Sequence, residues 1–402
     1  MLFTSLEFFV FLPLTLVVFA LLPAQRCWIA LLIASYFFYG FNRPLNLVYL
    51  GGVTLVVLAC GWSLGRATRR ATRLALLTGG LLAVLGSLAA FKFYDFAAGE
   101  LEQLAGELLG QDSGIALPRL GVNAPAGYSF YAFSAASYLI DTYAGRLGRQ
   151  HGGHVALYVA HFPKIFAGPI ERATTFLPQL ADGLRADPER FVRGLQLIGW
   201  GLFKKVVIAD NLAPIVDKSF NIAAFASPID LLIAIYFFAF QIYCDFSGYA
   251  DIAIGISLLF GLQLMENFRR PYLARSTAEF WSDRWHISLG RWFRDYLFIP
   301  LGGSRAGALR LYLNLMLVFL VSGLWHAGLG FGVGWTFLIW GALNGAYQWG
   351  GVASRPLWRR LGERLPRVRD STVLLVLRVL LTFHLILVTW VFFRAKTVND
   401  AW

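Results

Sequence analysis

Apolar runs follow one another along most of the chain, separated by short polar stretches. Leu45–Leu64 and Leu74–Phe93 approach the ~20 apolar residues that a helix needs to cross a bilayer. Trp28–Tyr39 and Tyr128–Ile140 are shorter. Runs of that length are expected to be re-entrant, interfacial, or parts of broken helices covered by protein. Later spans are expected near 195–208, 231–264, 311–329, 335–349 and 372–393. The length criterion gives roughly eight to eleven membrane-embedded segments. The N-terminal MLFTSLEFFVFLPLTLVVFALLP has neither a basic leader nor a small-residue cleavage site, so it reads as a retained helix rather than a signal peptide. No internal repeat or soluble domain stands out, and residues 1–402 read as one membrane unit.

Some interruptions are informative. HFPKIFAGPIERATTFLPQL places Pro163, Gly168 and Pro169 in an apolar stretch, which predicts a kinked or re-entrant element lining a cavity. In PAGYSFYAFSAASYLIDTYAGRLGR, the small residues Gly127, Ser129, Ala132, Ser134, Ala135, Ala136 and Ser137 predict close helix–helix approach, and Asp141 needs a partner. QIYCDFSGYADIAIG embeds Asp245 and Asp251 in apolar sequence. These carboxylates either form a proton path or pair with arginines or hydroxyls to fix a bend beside Gly248, and the pairing carries more weight.

Composition agrees with the pattern: 57% of the chain is hydrophobic and 14% charged, against roughly a quarter charged in a soluble protein. The net charge of +12 gathers between apolar runs. Arg66, Arg69, Arg70 and Arg73 form one cluster, and Arg355, Arg359, Arg360, Arg364, Arg367 and Arg369 another. Both fit cytoplasmic loops beside anionic lipid rather than a nucleic-acid surface. Glu100–Gln111, with three glutamates and no basic residue, fits the opposite side. Cys27, Cys60 and Cys244 are widely spaced and read as buried free thiols.

Two histidines stand out in the apolar sequence. His286 lies in FWSDRWHISLGRWFRDYLFIPLGG and His326 in SGLWHAGLG. Ionisable groups at membrane depth are costly and usually functional. If residues 280–296 are one ideal helix, Trp281, Trp285 and Trp292 fall within about 40° of each other as an aromatic ridge. Arg284, Arg291 and Arg294 then share a flank away from His286. An interfacial amphipathic helix explains the Trp and Arg residues but not the histidine. Around His326, Gly323, Gly328 and Gly330 let a backbone or ligand come close. An imidazole, with an unperturbed pKa of ~6.5, suits proton abstraction from a hydroxyl. No G-x-S-x-G elbow or H-E-x-x-H motif occurs, and His151, His154 and His161 lack a convincing zinc-ligand set, so no metal or bound cofactor is expected.

ENFRRPYLARSTAEFWSDRWHISLGRWFRDYLFIPLGGSR, then NLMLVFLVSGLWHAG and WTFLIWGALNGAY, resemble the membrane-bound O-acyltransferase (MBOAT) family, in its bacterial branch that acetylates exported polysaccharide. LLIASYFFYG, PAGYSFYAFSAASYLIDTY, FPKIFAGPIER, QIYCDFSGYADIAIG and WVFFRA match in order, so the resemblance covers nearly the whole chain. It implies an all-α, polytopic bundle with kinked and re-entrant helices around a central tunnel. It implies His326 as the essential catalytic histidine and His286 as the second histidine of this branch. Arg284, Trp285, Arg291, Arg294, Asp295 and Trp325 are the expected supporting or substrate-binding residues. The resemblance further implies a cytoplasmic acyl donor, commonly acetyl-CoA, and an acceptor across the bacterial inner membrane: an exported polysaccharide such as alginate, or a periplasmic partner protein. Members of this branch usually extend beyond WVFFRA with further helices, whereas this sequence ends at Trp402, so the expectation is that either a helix pair is missing or the gene product is shortened. A transporter of a small polar or acylated solute, using Asp245 and Asp251, is the alternative, and a scaffold recruiting periplasmic modification enzymes a third reading.

Overall fold

The computed structural model describes all residues except 110–115, 122–123, 306 and 328–333. Among the described residues every regular element is helical. That is the expected solution in a bilayer, where each backbone polar group must be satisfied within its own segment. The chain forms two compact units, Met1–Phe203 with Gly248–Met265, and Lys204–Ser247 with Glu266–Trp402.

The first unit contains α1 (Leu6–Leu21), α2 (Cys27–Gly40), α3 (Asn46–Leu64), α4 (Arg70–Leu81), α5 (Ser87–Leu109), α6 (Tyr128–Tyr143), α7 (Gly152–Ala160) and α8 (Pro188–Leu202). A π-helical turn, Leu82–Gly86, joins α4 to α5. The helix α3 and the continuous stretch Arg70–Leu109 are long and apolar enough to cross a membrane, while α1 and α2 are apolar but shorter. Apolar side chains lie on both faces of α1: Phe8, Phe11 and Phe19 are buried, whereas Leu6, Val10, Leu14 and Val18 are exposed. A helix apolar all round belongs in protein core or in lipid, and here each face meets one of them.

The small residues of α6 do pack closely. Ala132, Ala135, Ala136 and Ser137 are fully buried, and Asp141 finds Arg146 at 2.9 Å. Beyond α7 the backbone is irregular over residues 161–172 apart from one 3-10 turn, Phe162–Lys164, as Pro163 and Pro169 predict. The element is largely buried, and several of its polar groups find partners. The His161 imidazole meets the Ser257 hydroxyl at 3.0 Å, and Lys164 Nζ donates to Ser134 Oγ at 3.4 Å. Glu171 accepts from Thr175 Oγ1 (3.1 Å) and from the Met265 amide (3.0 Å). At one end of this unit the Leu184 amide donates to Ala24 O at 2.9 Å, and the rings of His151 and His154 pack on Trp28.

The second unit contains α9 (Asp210–Asn221), the first part of α10 (Pro228–Leu259), α11 (Ile287–Phe293), α12 (Ala308–His326), α13 (Gly334–Arg364) and α14 (Thr372–Arg394). Of these, α10, α12 and α14 are candidate membrane spans. Across the described residues, five helices meet the length and apolarity needed to cross. The short α6 is covered by protein, as its length predicts, whereas α13, expected as a span over 335–349, is not among the five and carries arginines at its end. Asp245 pairs with Lys205 at 2.6 Å, and the same ammonium holds Asp210 at 2.7 Å, so this carboxylate has a lysine partner rather than an arginine. Cys27 and Cys244 are buried free thiols, and Cys60 is a free thiol of intermediate burial.

Candidate active site

The segment around His286 is not the single ideal helix that its periodicity predicts. A π-turn, Phe280–Arg284, ends at Trp285, which is extended (φ −112°, ψ 126°). His286 then takes the left-handed conformation (φ 45°, ψ 51°), and α11 starts at Ile287. Periodicity assumes an unbroken hydrogen-bond ladder, and here a preceding strap captures the backbone instead. The Arg269 amide donates to Arg284 O at 2.8 Å, and the Ile287 amide donates to Asn267 O at 3.0 Å. The Asn267 side-chain oxygen accepts from the Ser288 amide (3.2 Å) and hydroxyl (2.9 Å). Arg284 locks the turn, donating to Glu279 at 2.8 Å and to the carbonyls of Arg269 and Arg270 at 3.2 Å. The expected Trp281–Trp285–Trp292 ridge is therefore split. Trp281 and Trp285 reach Trp390 (6.2 and 5.0 Å), whereas Trp292 packs with Phe293 and Tyr296.

A non-glycine residue held in the left-handed region costs about 1–3 kcal/mol, and such residues cluster at functional sites. The strain aims the His286 ring into an aromatic enclosure. Phe246 meets it edge-on at 4.7 Å, Phe268 lies near-parallel at 6.5 Å, and Trp325 is 5.9 Å away. The residue is 2% exposed and lies in the hinge between membrane-spanning helices. Burial disfavours the imidazolium and lowers its pKa to about 3, so the ring is neutral at physiological pH.

His326 is the last residue of α12 and is 8% exposed. Its ring lies 4.6 Å from Trp325, 5.3 Å from Trp340 and 5.3 Å from Phe393. Trp325 thus touches both imidazoles, so the two histidines, 40 residues apart in sequence, meet across one indole. Trp340 is held in turn by Trp281 at 5.4 Å and stacks with Trp390 at 6.4 Å. Trp281 donates its indole N–H to Asn344 Oδ1 at 2.9 Å, which ties the hinge to α13.

Close approach of α12 and α13 sets the His326 position. A Cβ on Gly323 would lie 2.3 Å from Phe337 O, one on Gly341 2.5 Å from Phe319 O, and one on Gly345 2.7 Å from the Met316 sulfur. Only glycine permits this spacing. Gly323 thus acts in helix packing, while Gly328 and Gly330 lie outside the described residues.

Of the other expected site residues, Trp325 joins the histidines, Trp285 packs in the enclosing aromatic wall, and Arg284 holds the hinge. Arg291 and Arg294 are exposed, and Arg294 pairs with its neighbour Asp295 at 2.8 Å. Sequence reasoning did not single out Asn267, Phe246, Phe268, Trp340, Trp390 or Phe393. Gly341 and Gly345 are the exception in offering a local signal, the small-xxx-small spacing of GALNG. The arrangement provides two buried imidazoles in a water-poor aromatic chamber, suited to proton transfer at a hydroxyl and to stabilising developing charge.

The sequence matches the membrane-bound O-acyltransferase family over residues 31–394. The chain is 37% identical to a protein of Azotobacter vinelandii named probable alginate O-acetylase AlgI, covering all of this chain and 77% of the relative. It is 34% identical to the peptidoglycan O-acetyltransferase of Helicobacter pylori, covering 99% of this chain and 77% of that one. It is 26% identical to the teichoic acid D-alanyltransferase of Bacillus subtilis, covering 67% and 68% respectively. A family match spanning nearly the whole chain, together with apolar spanning helices and a buried two-histidine chamber, identifies the protein as a multi-pass membrane acyltransferase belonging to the MBOAT family.

Proposed function

We propose that the protein is an O-acetyltransferase of the bacterial inner membrane, carrying acetyl groups from cytoplasmic acetyl-CoA to hydroxyls of an exported polysaccharide or of a periplasmic partner protein. Relatives named for alginate and for peptidoglycan O-acetylation support a polymer acceptor. The observation that carries the reading is the meeting of His286 and His326 on Trp325 inside a buried aromatic chamber. His326 takes the proton of the acceptor hydroxyl, whose oxygen attacks the thioester carbonyl. The carbon–sulfur bond breaks, and the imidazolium returns its proton to the departing thiolate. His286, neutral and held at a fixed angle by the hinge, donates a hydrogen bond to the developing oxyanion or orients the acceptor. Arg284 keeps that hinge in place, and Trp325 sets the separation of the two rings. Exposed Arg291 and Arg294, the latter paired with Asp295, attract the anionic donor.

The test supplies radiolabelled acetyl-CoA to the cytoplasmic face of inverted membrane vesicles containing the protein and its export partners, then measures alkali-labile acetate on the polymer. Label should appear on the acceptor and depend on His326. Absence of label, with transport of an acylated solute by the same vesicles, would assign the chain to transport instead.

A further inference from the structure

Away from the two histidines, the second unit holds a cavity of about 580 Å³ between α13, α14 and residues 275–278. Arg275, Arg355 and Arg378 line it, and no acidic side chain does. Arg275 shares its guanidinium with Glu279 at 3.2 Å. Gln348 also lines the cavity; it is 8% exposed, and its Nε2 has no hydrogen-bond partner among the described residues. A buried amide N–H left unsatisfied is costly, so the site is built for an acceptor-bearing ligand.

Trp358 and Leu381, each one helical turn from an arginine, add apolar surface to the same lining. That surface continues onto the outer face of α14, where Leu377, Leu380 and Leu381 are 56%, 49% and 62% exposed. That face belongs to a membrane-spanning helix, so it lies against lipid chains. Arg378 sits among these leucines, and an arginine there is costly unless it reaches an interface or a counter-charge. The 31 residues of α13 rise about 46 Å at ~1.5 Å each. Its basic end, with Arg355, Arg359, Arg360 and Arg364, suits the headgroup layer beside anionic lipid. The cavity is therefore cationic and hydrogen-bonding at headgroup level and opens sideways to lipid. A soluble nucleotide would leave the leucine wall uncovered, whereas a lipid with an anionic headgroup covers it.

We propose that this cavity is a binding site for an anionic phospholipid of the phosphatidylglycerol type. The phosphate sits between Arg355 and Arg378, Gln348 Nε2 donates to a headgroup oxygen, and an acyl chain runs along Leu377–Leu381.

Native mass spectrometry of the full chain in detergent tests this, titrating phosphatidylglycerol, phosphatidylcholine and coenzyme A in separate arms. Phosphatidylglycerol should bind at one saturable site, well ahead of phosphatidylcholine. Arg355→Gln/Arg378→Gln should weaken it roughly thirtyfold, the combined effect of two arginines near an anionic surface. Arg355→Lys/Arg378→Lys, which preserves the charge, should restore most of the binding. Equal binding of the two lipids, unchanged affinity in a folded Gln/Gln variant, or displacement of the lipid by coenzyme A at equal concentration would overturn the proposal.

Discussion

His286 concentrates the constraints of the site in one residue: a left-handed backbone, a fully packed ring and a pKa lowered to about 3. The shift has a sign that can be measured. The unfolded chain holds a proton on this imidazole below about pH 6.5, whereas the folded chain holds none until about pH 3. Folding stability from this group is therefore complete above about pH 6.5 and lost as pH falls toward 3. In melting curves from pH 8 to 4, the parent should lose stability relative to His286→Gln as pH falls. Parallel curves would refute the assignment. Asn267 is the second residue at this scale, because its side-chain oxygen accepts two hydrogen bonds from Ser288. Replacing it with Ala strands both donors, so Asn267→Ala should cost about 1–3 kcal/mol in a thermal or denaturant melt. Asn267→Asp, which keeps the acceptor, should recover much of that loss. The sequence marked both histidines and Trp325 because each sits in a dense aromatic motif. It could not mark Asn267, whose role exists only once the chain has turned back 21 residues later.

At the level of elements, the placement of His326 depends on how closely α12 meets α13. Gly323 and Gly341 each face a carbonyl of the other helix closer than any Cβ can approach. Gly341→Ala should therefore separate the pair and lower both the melting temperature and acyl transfer. Gly52→Ala in α3, where nothing lies within 4 Å, should leave transfer unchanged and add up to about 1 kcal/mol of helix stability. Equal effects of the two substitutions would show that the helix contact does not control the site. Spanning helices were legible from apolar run length, and the irregular stretch after α7 from its prolines. The extent of α13 was not: hydropathy fades near 349, yet the helix continues to Arg364, with Arg359 and Glu363 3.8 Å apart on its surface. Charge ends an apolar run without ending a helix. The hinge at Trp285–His286 was illegible for the converse reason, since its residues favour a helix locally and the strap at Asn267–Arg269 overrides them.

At the scale of the whole molecule, charge is distributed asymmetrically around apolar helices. The basic clusters near Arg66–Arg73 and Arg355–Arg369 should face the cytoplasm. Cysteines placed at Arg69 and Arg360 should resist a membrane-impermeant thiol reagent in intact cells and react after permeabilisation. Labelling of either in intact cells would invert that topology. Given the proposed cytoplasmic donor, acyl transfer is expected to run through the place where the rings of His286 and His326 both meet Trp325. The most direct measurement is acetate on the exported acceptor in cells carrying His326→Ala, with membrane insertion and protein level matched to the parent. Removal of a general base should lower acetylation by about 10²–10⁴-fold; acetylation at the parental level would contradict His326 as that base.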